Sequence, residues 1–218
     1  MKYNIAIDGP SAAGKSTIAK KLAKELGYAH LDTGAMYRCV AYFSKIKEIS
    51  YDDEEKLASL IDTMQIRFDS QGNVYINDKN VSNEIRENEI SMLTSKVSAY
   101  PAVREKLVVM QQKMAERKGY IMDGRDIGTV VLPNAEVKVY MVASVKARAD
   151  RRYKEYLEKQ MEVDYDTIYK DIEQRDYQDM NRKVSPLKKA EDAVEIDTSD
   201  MSIDEVVDTI RKLLPTKG

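Results

Sequence analysis

Short apolar segments alternate with amphipathic stretches along most of the chain, and the two patterns have the periods of strands and helices. The helical stretches are bounded by residues that start or end helices, such as Gly27, Pro101 and a Ser202–Glu205 capping box. Because strands that alternate with helices form parallel sheets, the pattern predicts an α/β fold: a doubly wound, parallel, five-stranded sheet flanked by helices. The five predicted strands are residues 3–8, 29–32, 120–123, 137–142 and 193–197.

Two segments depart from this alternation. Residues 65–69 and 73–77 alternate like strands around a turn at 70–72, which predicts a small β-containing insert. Residues 145–181 are highly charged with little apolar content, which is more typical of two helices in a mobile lid than of a core. The predicted division is core at 1–64, 99–144 and 190–218, insert at 65–98 and lid at 145–189.

Composition narrows the class of protein only slightly. Hydrophobic residues make up 43% and charged residues 33% of the chain, and no apolar run approaches the ~18 residues of a membrane span. The net charge of −2 argues against nucleic acid as a bulk partner. The single Cys39 cannot form an intrachain disulfide, and the first residues lack the pattern of a secretion signal. We therefore expect a cytoplasmic monomer that binds neither membrane nor nucleic acid.

The first turn after the first strand carries a phosphate-binding motif. Residues 9–16, GPSAAGKS, match the P-loop pattern, in which glycines let backbone N–H groups turn inward beneath a helix N-terminus. Lys15 can reach the β- and γ-phosphates of a nucleotide, and the Ser16 hydroxyl can hold Mg²⁺. The motif predicts an ATP site with Mg²⁺ as cofactor, formed by Gly9, Pro10, Ser11, Ala12, Ala13, Gly14, Lys15, Ser16 and Thr17.

A P-loop is compatible with two classes of protein, a small-molecule kinase and a nucleotide-dependent switch. A GTPase switch would normally carry an Asn-Lys-x-Asp motif, which this sequence lacks. A kinase needs arginines for a second anion, and Arg38 and Arg125 both follow carboxyl ends of predicted strands, where open sheets bind ligands. Further arginines lie on a central helix and in the predicted lid: Arg104, Arg148, Arg151, Arg152, Arg175 and Arg182.

The sequence offers no obvious catalytic base. Its one histidine, His30, lies in a short predicted strand, where a packing role is expected. A monophosphate acceptor is already largely ionised at neutral pH, because its second pKa is about 6, so it needs no base. The lack of an obvious base therefore favours a nucleotide acceptor over a sugar hydroxyl. Asp126 or Asp32 remains a candidate base, and either Asp123 or Asp8 could assist Mg²⁺.

Several motifs together resemble the bacterial cytidylate kinase family of nucleoside monophosphate kinases. The P-loop alone is common, but DTGAMYR at 32–38 and GRDIGTVV at 124–131 are far more specific. Val103–Arg104 and the run from Arg175 to Arg182 add to the similarity, which extends over essentially the whole chain. The resemblance implies transfer of the γ-phosphate of ATP to CMP or dCMP, with the insert as a monophosphate-binding region. An adenylate-type kinase and a nucleotide-dependent switch remain the alternatives.

The resemblance also implies a role for individual residues. Arg38 and Arg125 would clamp the acceptor phosphate, with Thr33 nearby, and Ser95, Arg104 and Asp126 would face cytosine near Arg182. Asp126 suits the N4 amine of cytosine because an ionised carboxylate only accepts hydrogen bonds. Arg175 and Asp179 would approach the sugar hydroxyl. The expected catalytic groups, which stabilise charge on the transferring phosphate, are Lys15, Arg125, Arg148 and Arg152.

Overall fold

A five-stranded parallel sheet forms the centre of the computed structural model, which describes residues 2–69 and 71–215. Its strands lie in the order β2-β6-β1-β7-β8, and every neighbouring pair is parallel. The predicted doubly wound α/β fold is therefore confirmed. The strands of the sheet are β1 (Ile5–Asp8), β2 (Ala29–Asp32), β6 (Tyr120–Gly124), β7 (Val137–Val142) and β8 (Val194–Asp197), and three short strands in the insert are β3 (Ile66–Phe68), β4 (Val74–Ile76) and β5 (Lys79–Asn80).

Eight helices connect the strands and cover both faces of the sheet in the described part of the chain. Their capping follows the sequence signals: Gly27 ends the first helix in a left-handed conformation, Pro101 begins the fifth, and Ser202 and Glu205 form the predicted capping box. The helices are α1 (Lys15–Leu26), α2 (Thr33–Ile46), α3 (Glu54–Ile61), α4 (Asn88–Val97), α5 (Pro101–Ala115), α6 (Val145–Glu158), α7 (Tyr165–Asn181) and α8 (Ile203–Lys212).

The sheet separates two hydrophobic layers. Strands β1 and β7 are buried along almost their whole length because helices cover both faces, which explains their continuous apolar sequence. On one face α1 and α8 pack around Leu22 and Ile210, and on the other α2 to α5 pack around Met36 and Leu107. Each layer lies on one face of the sheet. Neither covers the edge formed by the carboxyl ends of the strands, where polar residues gather.

The strand register brings three carboxylates to that edge. Asp32 at the end of β2 lies opposite Asp123 of β6, and Asp8 ends β1 beside Gly124. The phosphate-binding segment follows β1, the DTGAMYR motif follows β2 and the GRDIGTVV motif follows β6. The three motifs are therefore neighbours because of the sheet order, although they are far apart in sequence.

The insert does not have a hydrophobic core of its own. Strands β3, β4 and β5 form a separate antiparallel sheet, as the alternating pattern predicted, but Ile66, Val74 and Ile76 pack into the same cluster as Met36 of α2. Ser70, the first residue of the predicted turn, lies outside the described residues. The boundaries assigned to the insert and to the core segments stay predictions.

The two predicted lid helices are α6 and α7, which pack against each other. Ala149, Ile168 and Ile172 are buried between them, with tyrosines packed around this cluster. The rings of Tyr153 and Tyr165 meet edge to face, with centroids 5.6 Å apart. The lid therefore has more apolar packing than its charge-rich sequence indicated, and partly buried tyrosine rings contribute to it.

No helix among the described residues is long and apolar enough to cross a membrane. The one cysteine, Cys39, lies on α2 with no exposed surface, and burial raises the pKa of its thiol to about 12. Cys39 therefore acts as a small buried apolar residue.

Cys39 should therefore resist thiol reagents while the protein is folded. At about pH 8 a thiol of this pKa is ionised to only ~10⁻⁴, and reaction would require deprotonation above about pH 12 or unfolding. We expect Ellman's reagent to label Cys39 only in denaturant. In the matched control, Ser59→Cys on the exposed side of α3 should label at once, and rapid labelling of the native wild-type chain would contradict the observed packing.

Candidate active site

The P-loop segment wraps the end of β1 and leads into α1. Gly9 has φ of 151°, and a Cβ atom there would lie 2.2 Å from the carbonyl oxygen of Met141, so only glycine fits at this position. Gly14 has φ of 86° and stands as the N-cap of α1. Residues 11–17 then line the cleft, with the backbone before α1 placed to receive an anion.

Lys15 is buried beneath this loop and lies among charges of both signs. Its Nζ atom donates to the Pro10 carbonyl oxygen at 2.7 Å. Burial and the nearby cation Arg125 lower the pKa of Lys15 to about 7, although Asp123 and Asp8 act in the opposite direction. Phosphate oxygens beside Nζ would favour the charged form, so a bound nucleotide supplies the anion that this lysine lacks.

Asp123 and Asp8 have different partners. Ser16 Oγ donates to Asp123 Oδ2 at 2.6 Å, and His30 Nε2 lies 2.6 Å from the other carboxylate oxygen, Oδ1. Asp8 instead accepts the backbone N–H groups of Ile127 and Gly128 at 2.8 and 2.7 Å, and burial raises the pKa of its carboxyl to about 6. Asp123 and Ser16 therefore form a pair of oxygen donors that could bind a hard cation. Both carboxylate oxygens of Asp8, in contrast, already accept hydrogen bonds from backbone N–H groups.

The start of α2 forms the next wall of the cleft. The Asp32 side chain caps this helix by accepting from the Ala35 N–H, and it also accepts from Arg38 Nη2 at 2.7 Å. Burial would raise the pKa of Asp32, but the Arg38 charge and the capping bond outweigh it and hold that pKa below its usual value. Thr33 Oγ1 donates to the Asp123 carbonyl oxygen at 2.8 Å, which joins the start of α2 to the neighbouring strand β6.

A π-helical turn at Ile127–Val131 follows β6 and fixes the two charged residues before it. Arg125 Nε donates to Asp179 Oδ2 of α7 at 2.7 Å. Asp126 is buried and accepts from Arg104 Nη2, while the guanidinium of Arg104 lies 5.2 Å from the centre of the Tyr37 ring. Arg182 approaches the same Asp126 carboxylate at 3.7 Å.

Arg175 of α7 lies in the cleft among several other arginines. Burial first, and then the neighbouring Arg125, lower its pKa to about 10, and Arg152 and Arg38 add to the effect. Asp179 offsets these cations only in part. An anion placed among these arginines would therefore relieve repulsion that the empty cleft retains.

The sequence-predicted residues converge on one cleft of about 1020 Å³. Residues from the phosphate loop, both sheet-edge motifs and the lid line it together. Four predicted residues are not in the lining: Gly9, Pro10, Ser95 and Arg148. The Ser95 carbonyl oxygen accepts from Ser98 Oγ. The predicted residues that do line the cleft are Ser11, Ala12, Ala13, Gly14, Lys15, Ser16, Thr17, Thr33, Arg38, Arg104, Arg125, Asp126, Arg152, Arg175, Asp179 and Arg182.

Sequence reasoning missed several polar lining residues. Ser91, Thr94 and Ser98 face the cleft from α4 and the turn after it, and their spacing of three and four is a helical signal that could have identified this face. Arg86 and Lys20 also line it, but neither lies in a motif. Tyr37 belongs to the DTGAMYR motif, and its contact with Arg104 depends on the tertiary fold.

A phosphate loop that faces a set of arginines across one cleft, on a parallel sheet, defines a P-loop kinase. Similar solved structures agree on the fold. Shikimate kinase from Bacteroides thetaiotaomicron superposes with a TM-score of 0.51, at 12% identity over 98% of both chains. An uncharacterized protein from Eubacterium ventriosum gives 0.53, at 12% identity over 97% of both.

Sequence relatives are more specific than these folds. The family model described as cytidylate kinase matches residues 5–216. Cytidylate kinases from Streptococcus pneumoniae, including strains 70585 and Hungary19A-6, are 49% identical over 211 residues, which cover 95% of this chain and 95% of theirs. The chain belongs to the cytidylate kinase family, and it is a nucleoside monophosphate kinase, as the sequence motifs predicted.

Lys15→Ala should remove most of the turnover while leaving the fold intact. The lysine would lose its contact with charge that develops on the transferring phosphate, and loss of one such preorganised group lowers kcat by about a hundredfold or more. The buried ammonium also repels Arg125, so its removal should not unfold the chain. A coupled ADP-release assay gives kcat, with exposed Lys24→Ala on the same helix as control; a folded variant with near-normal kcat would contradict the assignment.

Proposed function

We propose that the cleft binds ATP with Mg²⁺ on residues 9–17 and binds CMP or dCMP between α2, α5 and β6. The reaction is that of the family: the γ-phosphate of ATP is transferred to CMP or dCMP, giving CDP or dCDP and ADP. The observation that supports this arrangement best is the buried Arg104–Asp126 pair, which shares a cleft with the phosphate loop.

The chemistry of cytosine matches that pair. The Asp126 carboxylate only accepts hydrogen bonds, which suits the N4 amine, and the Arg104 guanidinium only donates, which suits the ring N3 and O2 acceptors. Both side chains are almost fully buried, so an analogue that left either group unpaired would lose much of its binding energy. Ser91, Thr94 and Ser98 provide further hydroxyls on the same wall, and we propose Thr94 and Ser98, with Ser95 behind them, for contacts with the base.

Phosphate transfer in this cleft rests on positive charge and not on a protein base. Arg38, Arg125, Lys15 and Arg152 all line the cleft. In this proposal Arg38 and Arg125 hold the acceptor phosphate, and Lys15 and Arg152 hold the transferring group. Asp32 and Asp126 are paired with arginines, and the pKa of Asp32 is held low, so neither is suited to abstract a proton. The acceptor needs no base because a phosphate monoester is largely ionised at neutral pH.

The oxygens of Ser16 and Asp123 fit Mg²⁺, and we assign the metal to this pair. Both are hard oxygen donors beside the phosphate loop, and their 2.6 Å hydrogen bond would give way to metal ligation, directly or through water. Ser16 and Asp123 would hold Mg²⁺ beside the phosphates, where its charge would offset theirs. His30 holds the second Asp123 oxygen and so orients the carboxylate, which gives the lone histidine a supporting role.

The lid would close the reaction off from water. Arg152, Arg175, Asp179 and Arg182 of the 145–189 segment all line the cleft. Bound phosphates would neutralise these arginines and favour the closed state. We also propose a cytoplasmic, monomeric protein that binds no nucleic acid, supported by the single buried thiol and the near-neutral net charge.

The substrate assignment can be tested against its two alternatives in one assay. ADP release should be measured with ATP and Mg²⁺ and each of CMP, dCMP, UMP, AMP and GMP. We expect the highest kcat/KM with CMP and dCMP, and much less turnover without Mg²⁺. Preference for AMP would indicate an adenylate-type kinase, and hydrolysis that no monophosphate stimulates would indicate a switch.

Asp126→Asn should weaken discrimination between cytosine and uracil. An amide can donate as well as accept, so it tolerates the uracil O4 acceptor that a carboxylate repels. We expect kcat/KM for CMP to fall by at least about tenfold and the ratio of CMP to UMP activity to narrow. Exposed Asp200→Asn is the matched control, and unchanged values for both nucleotides would show that Asp126 does not contact the base.

A further inference from the structure

Both lid helices bond to a single residue of the phosphate loop, Ser11. Arg148, in the first turn of α6, donates from Nη1 to the Ser11 carbonyl oxygen at 2.9 Å. Asp176, on α7, accepts the Ser11 N–H on Oδ1 at 3.2 Å. The donor and the acceptor of this residue's backbone are thus both bound by side chains from the lid.

The two lid side chains are also paired with each other and buried. Arg148 Nη1 lies 2.6 Å from Asp176 Oδ2, and Arg148 Nε donates to the Ala143 carbonyl oxygen at the end of β7 at 2.9 Å. Arg148 is 4% exposed and Asp176 is 8% exposed. Two buried charges with this many hydrogen bonds hold a defined geometry, because any displacement leaves a charged group unpaired.

Apolar packing reinforces the same junction. Ala12, the next residue of the loop, packs against the α6–α7 cluster of Ala149, Ile168 and Ile172. The loop is therefore joined to the lid by side-chain packing as well as by the ion pair.

We propose that Arg148 and Asp176 are positioning residues for the donor site: their ion pair holds the Ser11 peptide, and with it the phosphate loop, in the shape that receives the nucleotide. This inference rests on the proposed function and revises the sequence-based role of Arg148, which was expected among the phosphate-contacting groups. Arg148 acts from behind the loop, through Ser11, while Arg152 faces the cleft.

The junction also divides the lid into two parts. The root, defined as residues 145–149 and 172–176, is held on the loop by the ion pair and contains Ala149 and Ile172 of the buried cluster. The tip, defined as residues 150–171, contains many exposed polar residues and faces the cleft. Closure on the two substrates would therefore move the tip about a fixed root.

Binding experiments separate this role from catalysis. Asp176→Asn leaves one amide oxygen for two buried donors, and Arg148→Met removes the donor to Ser11, so each should disturb the loop. We expect each variant to bind the non-hydrolysable analogue AMP-PNP, with Mg²⁺ and without CMP, about tenfold more weakly. CMP binding without the analogue should change by less than about twofold, because Arg38, Arg104 and Asp126 lie on the core. Exposed Glu173→Gln on α7 and Lys154→Met on α6 are the matched controls.

A double variant distinguishes positioning from simple loss of stability. Arg148→Met with Asp176→Leu replaces the ion pair by apolar contacts, which restores much of the stability in comparable buried pairs. Both Ser11 groups stay unbonded, so AMP-PNP binding should remain weak although the chain is folded. Recovery of wild-type affinity in this variant, or equal weakening of AMP-PNP and CMP in the single variants, would overturn the proposal.

Hydrogen exchange tests the division of the lid in the wild-type protein. Without ligand, we expect residues 145–149 and 172–176 to exchange slowly and residues 150–171 to exchange fast. AMP-PNP and CMP together should slow the tip more than either does alone. If the root and the tip exchange equally fast, the idea of a fixed root is refuted. If the wild-type protein releases no ADP in response to CMP, the proposed function is refuted instead.

Discussion

Pairing between buried or partly buried arginines and aspartates at the carboxyl edge of the sheet is the interaction on which the cleft depends. A site that binds two polyanions needs several cations within a small volume, and these cations repel one another while it is empty. Carboxylates from neighbouring elements offset that repulsion and orient each guanidinium at the same time. The pairs are Arg38–Asp32, Arg104–Asp126, Arg125–Asp179 and Arg148–Asp176.

The fold could be predicted well from local sequence signals. Continuous apolar strands, Gly27, Pro101 and the Ser202 capping box each act within a few residues, and each forms the expected element. The apolar packing of the lid could not be predicted from its charge-rich sequence, because it depends on Ala149, Ile168 and Ile172 meeting between α6 and α7, with tyrosine rings packed around them. The π-helical turn at Ile127–Val131 had no sequence signal, since it depends on Asp8, which is 119 positions from Ile127 in sequence.

The sequence could predict which residues lie in the site, but not which side chains they bond to. Motif positions identified most of the residues that line the cleft, because the carboxyl edge of a parallel sheet gathers whatever follows its strands. The motifs could not show that Asp176 lies behind the loop, or that Arg148 points there with it, since such pairs join residues far apart in sequence. Asp123 and Asp8 were indistinguishable as magnesium ligands until their hydrogen bonds were known.

The shared hydrophobic core of α2 and the insert links two properties that are often treated as separate. Tyr37, which lies against Arg104, belongs to the same helix and the same cluster as the residues that hold β3 and β4 in place. A substitution that reshapes the acceptor wall therefore also perturbs the packing of a whole layer. In the divergence of such enzymes, a change of acceptor would require compensating changes in this layer, so that nucleotide preference and thermal tolerance would evolve together.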